Sequence, residues 1–348
     1  MDYMSEKVKK LTPYVSGIQP KESGWIKLNT NENPYPPSPN VIEAIKEADH
    51  VRLRLYPDTM GGSLPGVLAE VFGVATNNVF CGNGSDEVLA LAYQAFYSSK
   101  ENVLMPDISY GFYPVWGEMY DVGVKTIPLR EDFSIGVEDY KGSNGGVIIA
   151  NPGAPTSLAL EIDDIEKITQ QNPGGVVIVD EAYINFSSVK SAIPLTAKYP
   201  NLLIIRTFSK SHALAGLRVG YAIGNAELIG ALRRIKNAFN SYPLDMLAQI
   251  GASQAILDSD YYAQTIKKVA STRDWTSAKL REMGYKVLNS QTNFIFMEVC
   301  NAKGLYEHLY SNKILSRYWE KPRISNYMRT TVGTDAEMEA FIECVKRF

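Results

Sequence analysis

The sequence predicts an α/β protein: a large domain on a mainly parallel sheet, then a smaller α+β domain after about residue 280. Three observations carry this. Short, continuous β-branched runs such as Val176-Val177-Ile178-Val179 and Leu203-Ile204-Ile205 suit strands covered on both faces. Between them Ile162, Ile165 and Ile168 recur at helical spacing, so strands and helices alternate. The pattern then changes to isolated strands and a terminal helix.

Taken in order, the first 40 residues are rich in turn formers. Tyr35-Pro36-Pro37-Ser38-Pro39 is expected to be neither helix nor central strand, because proline lacks the N–H donor and fixes φ. This stretch reads as a covering arm before a first helix near Val41 to Ala48. A second turn-rich patch follows at Tyr56-Pro57-Asp58 and Gly61-Gly62. Strands are expected at 103–105, 122–127, 146–150, 176–179 and 202–207, and a helix at Val88 to Phe96. An amphipathic stretch from Leu247 to Leu257 begins a linking helix. Strands at 293–297 and 327–332 lead to a last helix, where Met338, Phe341, Ile342 and Val345 fall at i, i+3, i+4 and i+7. Thr334 and Glu337 have the spacing of its capping box.

Composition narrows the function classes. Lys plus Arg is 35 and Asp plus Glu is 38, a balance that does not predict a nucleic-acid surface. Cys81, Cys300 and Cys344 lie far apart without CxxC spacing, which argues against a disulfide scaffold and a zinc ribbon. His50, His212 and His308 are equally dispersed, so no metal site is expected. The start, MDYMSEKVKKLTPY, has no long apolar run, and no segment approaches 18 apolar residues. The expectation is a cytoplasmic protein without membrane spans.

Four polar clusters coincide with expected strand ends, where open α/β sheets place ligands. Gly82-Asn83-Gly84-Ser85-Asp86-Glu87 precedes a helix, whose N-terminal N–H groups suit a phosphate. It is neither the GxGxxG dinucleotide turn nor a GKS/GKT phosphate loop, which counts against a nicotinamide oxidoreductase. Asn151-Pro152-Gly153 follows the strand at 146–150. Asp180-Glu181-Ala182-Tyr183 closes another, with Asp180 a candidate partner for a cationic group. Ser209-Lys210-Ser211 and Gly216-Leu217-Arg218-Val219-Gly220 form the last cluster. A lysine amine near a bound aldehyde can form a Schiff base, and an arginine nearby can pair with a phosphate. Taken singly, each cluster also reads as an ordinary turn, cap or surface group.

In that order and combination, these motifs resemble the fold-type I aminotransferases that use pyridoxal phosphate, and most closely the histidinol-phosphate aminotransferases. The resemblance runs from Leu11-Thr12-Pro13-Tyr14 to Tyr327-Met328-Arg329-Thr330-Thr331-Val332-Gly333. It implies an aspartate aminotransferase-like fold with a seven-stranded sheet, divided into 1–30 (arm and part of the small domain), 31–245 (large cofactor domain) and 246–348 (linking helix and small domain). It also implies the roles. Lys210 would hold the cofactor covalently, and Asp180 would pair with its pyridine nitrogen. Tyr183 and Asn151 would hydrogen-bond its phenolic oxygen, and Tyr110 would stack on the ring. Gly84, Ser85, Asp86, Ser209 and Arg218 would receive its phosphate, joined by Tyr56 from the partner subunit. Tyr14, Asn31, Arg317 and Arg329 would meet the substrate, with Tyr14 and Asn31 on the arm.

The resemblance further implies a homodimer with shared active sites, an amino donor (histidinol phosphate) and a 2-oxo acid acceptor (2-oxoglutarate). Phosphothreonine decarboxylation and transamination of aromatic or other amino acids are the alternatives within the fold. A non-catalytic binding role would fit better without Lys210 or with an attached DNA-binding domain. The chain departs from the usual Asn-Pro-Asn-Asn-Pro-Thr-Gly stretch, which here reads Asn151-Pro152-Gly153-Ala154-Pro155-Thr156-Ser157. Asn151 is taken as the surviving cofactor asparagine, with the pocket-shaping neighbours lost. His212 is expected to be structural or pocket-lining.

Overall fold

The computed structural model describes residues 3–98, 100–142 and 145–348. Its strands are β1 (Ile26–Lys27), β2 (Val79–Asn83), β3 (Val103–Pro106), β4 (Val124–Ile127), β5 (Val147–Ala150), β6 (Val177–Asp180) and β7 (Leu202–Thr207). There follow β8 (Val219–Gly224), β9 (Lys286–Val287), β10 (Phe294–Glu298), β11 (Ile314–Leu315), β12 (Arg317–Tyr318) and β13 (Tyr327–Thr331).

Seven strands form the central sheet in the order β2-β8-β7-β6-β5-β3-β4. The pairings β7–β6, β6–β5, β5–β3 and β3–β4 are parallel. Only β8 runs against both its neighbours, β2 and β7. The other six strands therefore end at one edge, and β8 begins there. That edge collects Gly84 and Ser85 after β2, Tyr110 after β3, Asn151 after β5, Asp180 at the end of β6, Lys210 after β7 and Arg218 before β8.

The sheet is buried on both faces, as its β-branched runs require. Alternate residues of one strand point to opposite cores. Val147, Ile149, Val177, Val179, Leu202 and Ile204 join one apolar cluster. Ile148, Ile178, Leu203 and Ile205 join the other. The strand expected at 122–127 starts only at Val124, because residues 120–123 turn out of the helix Tyr113–Met119. Strands β2 and β8 were hidden in sequence by their glycines, which weaken a strand signal.

A four-stranded antiparallel sheet, β12-β13-β10-β9, forms the second layer with the helices Ser259–Glu282, Ala302–Ser311 and Asp335–Val345 around it. The capping box forms: the Thr334 N–H donates to Glu337 at 2.7 Å, and Glu337 N–H donates to the Thr334 hydroxyl at 3.4 Å. β1 pairs in parallel with β11, tying the chain near residue 26 to this C-terminal unit. The first helix of the large unit differs from expectation: it spans Pro39–Lys46, so Pro39 is helical after all. Pro39 sits in the first turn, where its missing N–H would have been unpaired in any case, and the Ser38 side chain caps Val41 N–H.

The arm lies between the two units. Lys7 pairs with Asp121 at 2.8 Å, Tyr14 stacks on Phe112 at 4.4 Å, and Arg317 donates to the carbonyls of Val15 and Ser16. Among the described residues no helix is long and apolar enough to cross a membrane.

Candidate active site

A cavity of about 280 Å³ opens at the shared strand edge, lined by Ser85, Asp86, Tyr110, Asp180, Tyr183, Ser209, Lys210 and Arg218 together with Thr30 and Ala154. A larger one, about 730 Å³, adjoins it through Tyr110, Ala154 and Tyr183, and brings in Tyr14, Arg317, Trp319 and Arg329.

β6 ends on the carboxylate of Asp180, and that of Glu181, the next residue, faces the other way. Asp180 faces the cavity, accepting from Tyr113 Oη at 2.9 Å and Ala182 N–H at 3.1 Å. Burial pushes its carboxyl up to about 6, against the lowering effect of these two hydrogen bonds. Glu181 turns into the core and pairs with Arg206 at 2.9 Å. Both donors to Asp180 are neutral, so a buried anion on the cavity wall has no cation from the described residues.

Lys210 Nζ donates to the Thr30 carbonyl at 3.1 Å. Burial, then the nearby Arg329 charge, lowers its amine to about 8, so about one tenth is neutral at pH 7, far more than for a free lysine. Behind it His212 is buried, hydrogen-bonded to Ser211 and packed on Phe208 and Tyr262. Burial and Arg206 pull its imidazole down to about 3, which fits a neutral structural residue.

The helix Gly84–Phe96 points its N-terminus at the cavity. Gly84 has φ +84°, and Arg218, itself at φ +53°, reaches across to Asp86 at 3.3 Å. Asp86 also accepts from Tyr110 Oη at 2.8 Å. A Cβ on Gly220 would collide with the Ser85 backbone nitrogen, so only glycine lets β8 lie this close to the helix start.

Arg317 and Arg329 are register partners on β12 and β13, and both line the larger cavity. Arg329 stacks over Phe294 and Trp319 and donates to the Asn29 carbonyl at 2.6 Å. Its Nε is buried without a partner. Burial lowers its guanidinium, which an entering anion would oppose.

Two expected positions stand differently. Asn151 does not line the cavity of Lys210: its Nδ2 donates to the Leu160 carbonyl at 3.2 Å and its Oδ1 accepts Leu160 N–H at 2.8 Å. Both ends of the amide are spent holding the loop, and Ala154 occupies the cavity wall instead. Asn31 is not on the arm. It is buried, and its Nδ2 donates to Tyr183 Oη at 2.9 Å. Tyr56 is 82% exposed, stacks on Tyr242 at 4.5 Å and does not line its own chain's cavity. Sequence reasoning missed Tyr113 and Thr30 and gave Glu181 no role of its own. The only signal for Thr30 was the polar run Asn29-Thr30-Asn31-Glu32-Asn33 beside a proline cluster.

The donor set fits pyridoxal phosphate. An uncompensated buried carboxylate suits a protonated pyridine nitrogen, a neutral-capable amine suits an aldehyde, and a helix N-terminus with Ser85, Ser209 and Arg218 suits a phosphate.

The comparisons with known proteins agree with this chemistry. The model of the family "Aminotransferase class I and II" matches residues 23–345. A histidinol-phosphate aminotransferase of Brachyspira hyodysenteriae is 47% identical over 346 residues, covering 99% of this chain and 98% of that protein. The crystal structure of histidinol-phosphate aminotransferase from Sinorhizobium meliloti, in complex with pyridoxal-5'-phosphate, aligns with a TM-score of 0.90 at 22% identity, over 100% of this chain and 98% of that one. L-threonine-O-3-phosphate decarboxylase from Porphyromonas gingivalis aligns with a TM-score of 0.81 at 21% identity, over 93% of this chain and 99% of that one. At these identities the two structures establish the fold, while the family match spans nearly the whole chain and includes every residue of the strand-edge cavity. The chain belongs to the class I and II aminotransferases.

Proposed function

We propose that this chain is a histidinol-phosphate aminotransferase, moving the amino group of L-histidinol phosphate to 2-oxoglutarate with pyridoxal phosphate as cofactor. The whole-chain 47% identity to the Brachyspira hyodysenteriae enzyme carries this reading. The paired arginines of the larger cavity support it, because a guanidinium fork accepts a phosphate or a carboxylate with the same geometry.

When bound, pyridoxal phosphate supplies the electron sink for the charge left on the substrate Cα. The residues then divide the work. Asp180 holds the proton on the pyridine nitrogen, and Tyr183 donates to the phenolic oxygen. Gly84, Ser85 and Asp86 offer backbone N–H groups to the phosphate, with Ser209 and Arg218 beside them. Tyr110, which lines the cavity, would wall one face of the ring. Arg329 and Arg317 receive the substrate anion, with Tyr14 closing over it. Lys210 Nζ is the base for the substrate Cα proton.

The working unit is a homodimer whose sites are completed by the partner copy's tyrosine at position 56, and it acts in the cytoplasm. The division into 1–30, 31–245 and 246–348 is supported by the sheets: the central one lies within 79–224 and the smaller one within 286–331. A panel of amino donors (histidinol phosphate, phosphothreonine, phenylalanine, aspartate) offered with 2-oxoglutarate tests the reading. Glutamate formed fastest from histidinol phosphate supports it. Release of CO₂ from phosphothreonine without glutamate would replace transamination by decarboxylation.

A further inference from the structure

With Asn151 turned to Leu160 and Ala154 in the cavity wall, Tyr183 is the residue left to address the cofactor's phenolic oxygen. A phenol has one proton, so its direction matters. Tyr183 lines both cavities, and its hydroxyl oxygen accepts from Asn31 Nδ2 at 2.9 Å.

The Asn31 amide is itself held by Thr331. Thr331 Oγ1 accepts the Asn31 backbone N–H at 2.9 Å and donates its proton to Asn31 Oδ1 at 3.1 Å. The Asn31 carbonyl accepts from Asn293 Nδ2 at 3.0 Å, and the backbone is held at φ +57°. With Oδ1 accepting from Thr331, the amide presents its NH₂ to Tyr183. Tyr183 is then the acceptor in that bond, and its own proton is free to point into the cavity.

We propose that Asn31 is a positioning residue: the relay Thr331 to Asn31 to Tyr183 directs the phenol's proton at the cofactor's phenolic oxygen. This rests on the cofactor reading above. Thr331 lies two residues from Arg329 on β13, so the strand that carries the anion-binding arginine also sets the polarity of Tyr183. Asn31 thus acts through Tyr183 rather than on the substrate.

The test is a pH titration of the bound cofactor's visible absorbance, without substrate, in holoenzyme. A hydrogen bond donated to an anionic oxygen favours the deprotonated form, so its loss raises the midpoint. Asn31→Gly removes the amide and suits the positive φ. It is expected to move the midpoint up by about one pH unit, and Tyr183→Phe to do the same. In the double variant the shift should be no larger than in Tyr183→Phe alone. Thr331→Val, which frees the amide to rotate, gives the same readout if Asn31→Gly does not fold. An unchanged midpoint in the variant that folds, or a shift that adds to that of Tyr183→Phe, would overturn the relay. Failure of wild type to bind pyridoxal phosphate covalently would sink the cofactor reading instead.

Discussion

Asp180 is buried, and this has a measurable sign. Its folded carboxyl is raised from 3.8 to about 6, so the protonated form is favoured by folding. The penalty is absent below about pH 4, grows as pH rises and is complete above about pH 6. Two pH units of displacement correspond to about 3 kcal/mol. Asp180→Asn does not titrate, so cofactor-free wild type should lose up to about 3 kcal/mol relative to it between pH 4 and pH 8. Denaturant unfolding at each pH measures this, and saturating pyridoxal phosphate should abolish the loss by supplying the cation. A flat or rising difference would refute the burial argument. Asp180 was legible in sequence because it follows a β-branched run directly, and Tyr183 and Lys210 because they lie in the polar clusters just after such runs. Asn151 was not, because the stretch contains two X-Pro steps three residues apart, and sequence does not say which one faces inward. The fold turns Ala154 in and ties Asn151 to Leu160. Asn31 was expected on the arm over the substrate, whereas its contacts with Tyr183 and Thr331 span 152 and 300 residues, which no local pattern shows.

At the scale of elements, the cofactor end depends on β8 lying against the start of the helix Gly84–Phe96. Gly220→Ala would put a methyl group onto the Ser85 backbone nitrogen. Overpacking of this kind costs about 1–3 kcal/mol, and here it also displaces the N–H groups proposed to meet the phosphate. The expected result is a lower unfolding midpoint together with at least a tenfold weaker hold on pyridoxal phosphate, read by equilibrium dialysis. Alanine tolerated at both readouts would mean the close approach is incidental. The same glycines explain why the parallel strands were visible and β8 was not. Val219-Gly220-Tyr221-Ala222-Ile223-Gly224 reads as a glycine-rich turn until its two antiparallel pairings bury it. The capping box at Thr334 was visible because its signal is local, needing only residues three apart.

For the whole molecule, Val51, Leu53, Leu55, Tyr56, Phe239 and Tyr242 are exposed apolar residues, with Tyr56 stacked on Tyr242, and the proposed homodimer predicts that a second copy covers them. Sedimentation should give a species of twice the 38.6 kDa chain. Mixed refolding of Tyr56→Ala with Lys210→Ala should restore activity that neither variant has alone, because one site of the mixed dimer is then intact. Recovery no better than the separate variants would exclude shared sites. The alternation of strands and helices made the central sheet readable, but the convergence of the arm, β1 and β13 on one cavity depends on contacts between distant parts of the chain. The most direct test of the account is a single-turnover titration of the pyridoxal-phosphate-loaded enzyme with L-histidinol phosphate, followed by visible absorbance. The account predicts stoichiometric loss of the bound-cofactor band, its full return on adding 2-oxoglutarate, and no such cycle in Lys210→Ala. A band unchanged by histidinol phosphate would contradict it.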